Sequence, residues 1–369
     1  MFTLRVIQAK FGDCFIVKYG SEDTSKYLLL DGGPGGVYPN FLKPELEKIG
    51  NSNGELELAI LSHIDGDHIV GLINLTEELK EQQADELDPI IKVKGIWMNT
   101  FDATIGKNNQ LPNAILSLFA GVQNLQSTMP HGELALQSIP QGNTLRRNAL
   151  LLDIPINEVV NSEPISCESM PDVFQMDNLS ITIIGPNEKN LQKLQDDWQE
   201  WIEKNEVKIM LQDPDVLANI DRSVPNLSSI MFVMEAEGKR VLFTGDGRGD
   251  FILEGLEMQG FLDDEGKVHV DVFKLPHHGS IRNATAEFFE KVTADIYLVS
   301  ADGHHGNPDF DTLEWIVKSA DARQTKVEII CTNETDATEK LLVEFPLSDH
   351  SYTLTYFEDG KNTMDINLN

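Results

Sequence analysis

The chain has 369 residues, 41% of them hydrophobic, which suits one large α/β domain or two medium ones and argues against disorder. Its 60 acidic residues against 29 Lys plus Arg give a net charge of -31, so long-range attraction to a duplex phosphate backbone should be poor, which weighs against non-specific duplex binding but leaves room for a small anionic ligand or a local basic patch. No apolar run reaches the ~18 residues of a membrane span, the opening stretch lacks a secretory-signal pattern, and three scattered cysteines (Cys14, Cys167, Cys331) do not make a disulfide framework. A cytoplasmic protein without a membrane partner is expected.

Residues 2 to 31 alternate apolar and polar side chains and predict two or three strands closing on "YLLLDGG". The strand "ELELAILSH" follows, then a helix over "DHIVGLINLTEELKEQ" with Ile69, Leu72, Ile73, Leu75 and Leu79 on one stripe. A further strand is expected at 90 to 100, a polar helical stretch from about 103 to 153, a strand at "LSITIIGPN" and an amphipathic helix in "NLQKLQDDWQEWIEKNEV". The strands "SSIMFVMEAEG" and "KRVLFTGD" come next, joined by a turn, then a helix over "DFILEGLEMQGFL". The strands "HVDVFKLPHHGS" and "ADIYLVSADG", the helix "DTLEWIVKSA" and a strand-rich last fifty residues complete the pattern. Two strand-rich blocks flank a more helical middle, and no Gly/Ser/Pro linker separates them. The expectation is a single domain over 1–369, a sheet sandwich with outer helices, carrying an insertion at about 103–178.

Six of the nine histidines fall in three pairs, each after an apolar strand-like run: His63 and His68, His277 and His278, His304 and His305. Asp31, Asp246 and Asp302 sit at comparable strand ends, where loops build sites on a rigid scaffold. In "HIDGDH" side chains two apart share a face while the strand persists, so His63 and Asp65 converge, and the Gly66 bend turns Asp67 and His68 toward the same space. Four ligand-capable groups in six residues suit two adjacent metals. The competing reading has Asp67 capping the helix and His63 as a satisfied half-buried histidine.

"HIDGDH" resembles the HxHxDH signature of the metallo-β-lactamase fold superfamily, with one substitution. "DGG", "FTGD" and "LPHHGS" follow in the family's order, and the pairing of "TGD" with "PHHGS", with "NLSSI" between, is similar to the branch holding the nuclease-like domain of competence DNA-uptake proteins. The resemblance implies a four-layer αββα sandwich with a helical insertion, and a water-activating site of two divalent ions. It implies His63 and Asp65 on the first metal, Asp67, His68 and His278 on the second, and Asp246 bridging. His277 is a less secure choice than His278 and is expected beside the ligands. Asp31 either orients a ligating histidine or is a tight-turn aspartate.

Two departures matter. Asp65 replaces the second histidine of the signature, and the third first-site histidine has no counterpart, with Asn226 and Ser228 in that region. Oxygen donors shift the preference from Zn toward Mn, with Mg possible, and keep a one-metal or inactive partner-binding subunit in view. Asp67 is the expected proton acceptor besides being a ligand. His305, with His304, is expected to reach the substrate, act as general acid or merely sit on a loop. Arg222, Arg248, Lys274 and Arg282 lie within five residues of a motif; they are expected either to clamp a phosphate or to balance neighbouring carboxylates. The favoured activity is metal-dependent hydrolysis of a phosphodiester, by a phosphodiesterase or nuclease acting on a small or single-stranded substrate. Hydrolysis of an ester, lactone, thioester or amide is the alternative, and the acidic surface suits a basic protein partner.

Overall fold

The computed structural model describes residues 1–21, 24–99, 134–193, 196 and 228–369. Arg222, Asn226, most of the expected helix after Asn187, and residues 103–133 of the expected insertion lie outside them. The first sheet takes β1 (Phe2–Ile7), β2 (Phe15–Gly20), β3 (Ser25–Leu30), β4 (Leu56–Ile60), β5 (Ile96–Trp97) and the last strand, β14 (Thr363–Asn367), in the order β14-β1-β2-β3-β4-β5. The second sheet runs β13-β12-β11-β10-β9-β8-β7-β6, from β6 (Phe174–Met176), β7 (Leu179–Gly185), β8 (Met231–Ala236), β9 (Lys239–Phe243), β10 (Val268–Lys274), β11 (Val292–Val299), β12 (Val327–Cys331) and β13 (Tyr352–Tyr356).

Strand alternation decides the layering. Phe2, Leu4 and Val6 of β1 meet Val241 and Phe243 of β9 and Val272 of β10 between the sheets, whereas Ile7, Leu242 and Phe273 face outward. On the outside of the first sheet lie α1 (Lys43–Asn51), α2 (Gly66–Ala84) and α3 (Leu134–Leu151), with Leu46, Ile69, Leu72 and Leu145 in that core. Against the second sheet pack α4 (Gly249–Met258), α5 (Ala286–Lys291), α6 (Phe310–Arg323) and α7 (Asp336–Glu344), through Ile252, Phe289, Ile316 and Leu341. The result is the αββα sandwich. Among the described residues no helix is long and apolar enough to cross a membrane. All three cysteines are free and buried.

Three local expectations change. The strand expected over 90 to 100 shrinks to Ile96–Trp97 and an isolated bridge between Leu56 and Val93, because it forms the sheet edge and Lys94 turns out to Glu55 and Glu57. The last fifty residues are not all strand: α7 is closed by a capping box in which Thr335 accepts from Thr338 N and Thr338 Oγ1 accepts from Thr335 N. Threonine at the third helical position hides the Ser/Thr-x-x-Glu/Gln signature. Helix α1, with Leu46 and Ile49 buried, is an element that the sequence reading leaves unassigned.

The stripe expected on α2 is buried, and the helix lies unusually close to the β3 loop. Gly32 N donates to His68 O at 2.7 Å and Gly71 N to Gly33 O at 3.1 Å. A Cβ on Gly71 would stand 1.9 Å from Gly32 O, so only glycine permits this approach. The contact fixes the start of α2, and with it His68, against Asp31.

Candidate metal centre

Strands β3 and β4 run parallel, as do β9, β10, β11 and β12, so their C-terminal ends gather on one edge of the sandwich. That is why Asp31, the 62–68 turn, Asp246, the 277–278 loop and the 300–305 loop converge although they are spread over most of the chain.

Asp65 occupies the N-cap position of α2 in an extended conformation (ψ 149°), but its side chain does not cap. Its Oδ2 instead stands 3.6 Å from His63 Nε2. Asp67, in the first turn, is not a cap either; its Oδ2 lies 3.1 Å from His278 Nε2 and 3.6 Å from His68 Nε2. Asp246 sits between the groups. Its Oδ1 is 3.5 Å from His68 Nε2 and 3.7 Å from His278 Nε2, and its Oδ2 is 3.5 Å from His63 Nε2 and 3.6 Å from His277 Nε2.

Each ring is aimed by its other nitrogen. His68 Nδ1 donates to Asp31 Oδ2 at 2.8 Å, and Asp31 also accepts from Ser62 N and Ser62 Oγ, both at 2.7 Å. His278 Nδ1 donates to Ser300 O at 2.8 Å, and His63 Nδ1 lies 3.0 Å from Ser62 Oγ. The Nε2 lone pairs therefore point inward, the arrangement that metal-ligating histidines require.

The interior is electrically tight. Burial works to lower the His63 pKa, yet Asp246, Asp65 and Asp67 push it up to about 10. His278, likewise opposed by burial, is driven well above its ordinary range by Asp13, Asp246 and Asp67. Burial favours the neutral form of Asp246, but His277, His63, His278 and His68 hold its carboxyl well below the usual range. Asp67 behaves the same way, through His68 and His278.

Divalent cations fit this cluster. Nε2 of His63, Nε2 of His68 and Oδ1 of Asp246 are buried without any hydrogen-bond partner, an arrangement that costs about 1–3 kcal/mol per group unless something fills it. The Nε2-to-carboxylate separations of 3.5–3.7 Å exceed hydrogen-bonding distance. All but the 3.7 Å separation fall within the edge of a coordination tetrahedron, about 3.3–3.6 Å for bonds of about 2.0–2.2 Å. His63, Asp67 and His68 form one ligand-capable group, and His68, Asp246 and His278 another.

Residues 8–84 match the Metallo-beta-lactamase superfamily model. The matched stretch holds Asp13, Asp31 and the whole 63–68 turn. No curated protein matches the chain significantly. Among solved structures it is similar to Zn(2+)-bound PqqB from Methylobacterium extorquens (10% identity, 100% of both chains, TM-score 0.42). It is also similar to unliganded yeast PDE1 (9% identity, 98% of this chain and 99% of that one, TM-score 0.34) and to Rm3 metallo-beta-lactamase (12% identity, 86% and 83%, TM-score 0.28). At these scores the likenesses carry no argument about function.

Two of the cations named beside the motifs are paired with carboxylates. Lys274 is 1% exposed and does not face a substrate: its ammonium is paired with Asp13 and donates to Gly245 O at 3.2 Å. The reason is that β10 is a central strand, and Lys274 points from its end into the space beneath the cluster. Arg248 is also engaged, its fork held by Asp250 at 2.7 Å and its guanidinium lying over Phe251. Charge balance, the blander expectation, describes both. Arg282 is exposed beside the 276–280 loop. His305 stands at the rim, exposed, its ring centroid 4.1 Å from that of His304, which in turn lies 4.7 Å from Phe11. Burial and His304 lower its pKa, and Asp67, His277 and His278 are near enough to contribute.

Asp13 and Ser62 escape the sequence reading. Asp13 is 1% exposed, with Oδ1 3.5 Å from His278 Nδ1 and Oδ2 3.8 Å from His68 Nδ1, so one carboxylate sets its charge beside rings from both halves of the fold. In "FGDCF" it looks like any aspartate of a strand-connecting turn, and no local signal marks it. Ser62 reaches Asp31, His63 and His68 with one hydroxyl.

Proposed function

We propose that the chain is a hydrolase using two divalent cations, Mn or Zn, and that its substrate is a small or single-stranded phosphodiester. The observation that carries the two-cation reading is the Asp246 carboxylate, whose two oxygens face two different sets of imidazoles at coordination-edge distances. When bound, such a pair supplies Lewis acidity and an activated water. Asp67, partly exposed at the mouth of the cluster, is the proton acceptor, and the Nδ1 contacts of His63, His68 and His278 keep the rings from turning away.

The phosphodiester preference rests on charge. Asp65, Asp67 and Asp246 carry three negative charges against the four positive charges of two divalent cations, so the directly bound set would stay one unit positive inside a strongly acidic chain. In this reading the exposed Arg282, just after the 276–280 loop, binds a phosphate oxygen, and His305, near enough to Asp67 and His278 to feel their charge, donates a proton to the leaving oxygen. The acidic shell supports a small or single-stranded substrate over free duplex.

The test compares bis-(p-nitrophenyl) phosphate with p-nitrophenyl acetate on Mn-loaded protein, with Asp246→Ala as the blank. Turnover of the diester that falls at least about 100-fold in Asp67→Asn supports the reading. Turnover of the acetate alone moves the activity to acyl chemistry. Turnover of neither, on protein that retains no metal, defeats the enzyme reading.

A further inference from the structure

We infer that the two adjacent histidines of the β10 loop are divided between two metal positions, His278 serving the second and His277 the first. His277 thereby supplies the imidazole that "HIDGDH" lost to Asp65. The inference rests on the two-cation reading and adds a ligand that the sequence motif does not point to.

The Asp246 carboxylate sorts the rings. Its Oδ1 faces His68 and His278, and its Oδ2 faces His63 and His277, with His277 Nε2 at 3.6 Å. That separation is too long for a hydrogen bond and equals the His63–Asp65 and His68–Asp67 separations across the presumed ligand sets. His277 therefore stands toward its oxygen as the other three imidazoles do toward theirs.

The backbone is bent to achieve this. In an extended segment neighbouring side chains point to opposite faces. Here His277 (φ 48°, ψ 47°) and His278 (φ 56°, ψ 23°) are both left-handed, a conformation that strains non-glycine residues and persists where its surroundings enforce it. His277 N donates to Gly245 O at 3.1 Å, and Asn307 Nδ2 donates to His277 O at 3.3 Å, which pins the strained pair from two sides. The two rings end perpendicular, 6.0 Å apart, so they diverge onto separate oxygens of one carboxylate instead of stacking. The Gly245 carbonyl that receives His277 belongs to the same turn as Asp246, so bridge and ligand are placed by one piece of chain.

With His277 included, the two positions become chemically alike. The first holds His63, His277, Asp65 and one oxygen of Asp246; the second holds His68, His278, Asp67 and the other oxygen. Each offers two imidazoles and two carboxylates, so the substitution at Asp65 does not leave the first position deficient. Two matched mixed nitrogen–oxygen sets predict two ions bound with similar affinity, in contrast to one tight and one vestigial site.

The experiment titrates chelator-stripped full-length protein with Co2+ and reads stoichiometry and visible absorption, with inductively coupled plasma analysis of Mn-loaded protein as a second measure. Wild type is expected to bind two ions, and His277→Gln to bind one, with affinity for the other lowered at least about 100-fold. His63→Gln/His277→Gln should still bind one, because both changes strike the same position, whereas His277→Gln/His278→Gln should bind none. His277→Asp, which restores an oxygen donor, should regain the second ion, separating ligand loss from a folding defect. If wild type binds two and His277→Gln binds two with unchanged affinity, the assignment of His277 is wrong while the two-cation reading stands. Wild type that binds fewer than two overturns that reading, and this assignment with it.

Discussion

Replacing Asp13 with Asn would leave the Lys274 ammonium sealed in the core with the Gly245 carbonyl as its remaining charge-stabilising neighbour. Both side chains are 1% exposed, and although burial favours a neutral Asp13, Lys274 and His278 hold its carboxyl well below the usual range. Removing one member of a fully buried pair costs about 3–5 kcal/mol, because the partner stays charged and desolvated. That is roughly two to nearly four decades in the folding equilibrium constant. Lys274→Met should cost a similar amount, leaving Asp13 facing only the imidazoles. Asp13→Asn/Lys274→Met removes both charges with little change in volume and should cost less than either single change. The assay is urea denaturation of chelator-treated protein, followed by tryptophan fluorescence and circular dichroism together. Single costs below about 1 kcal/mol, or a double cost equal to the sum of the singles, would refute the view that this pair is a coupled, buried foundation of the site. Loss of Asp13 also removes a negative charge from beside the His278 and His68 rings, so metal affinity should fall by about 10–100-fold.

Metal loading should be linked to protons and to stability. Asp246, Asp65 and Asp67 push the His63 pKa up to about 10 against about 6.5 unfolded, so its contribution should be fully present below pH 6.5 and lost as pH rises through 10. Melting temperatures of chelated protein should therefore fall across that window, and metal-loaded protein should not show this component. Calorimetric titration near pH 7.5 in buffers of different ionisation enthalpy should detect proton release on metal binding; an absence of buffer dependence would contradict protonated His63 and His278. Gly71→Ala forces a Cβ to within 1.9 Å of Gly32 O, so it should destabilise the fold by about 1–3 kcal/mol or more and displace His68 from Asp31. A Gly71→Ala protein with wild-type melting and metal affinity would mean that the α2–β3 approach is not what seats the turn.

Much of the centre was legible because it is local. "HIDGDH" follows a strand and opens a helix, so His63, Asp65, Asp67 and His68 are brought together by the strand repeat and one Gly66 bend. The burial stripe of α2 could be read from the sequence for the same reason. Helix α7 could not, since its cap uses Thr338 where the familiar pattern has Glu or Gln. The charged residues behave differently, because a lysine near a motif carries no label for the face it will occupy. Lys274 looked available to a substrate until the end of β10 turned it inward onto Asp13, a residue 261 positions earlier in the chain. Sequence order likewise left His277 and His278 indistinguishable. By itself the sequence determined which chemical groups could make the centre and which strand ends would present them, since those follow from periodicity and spacing. The tertiary structure alone decided which charges are buried as counter-ions and which oxygen of Asp246 each histidine faces, because both depend on loops from distant strands meeting at one edge of the sandwich.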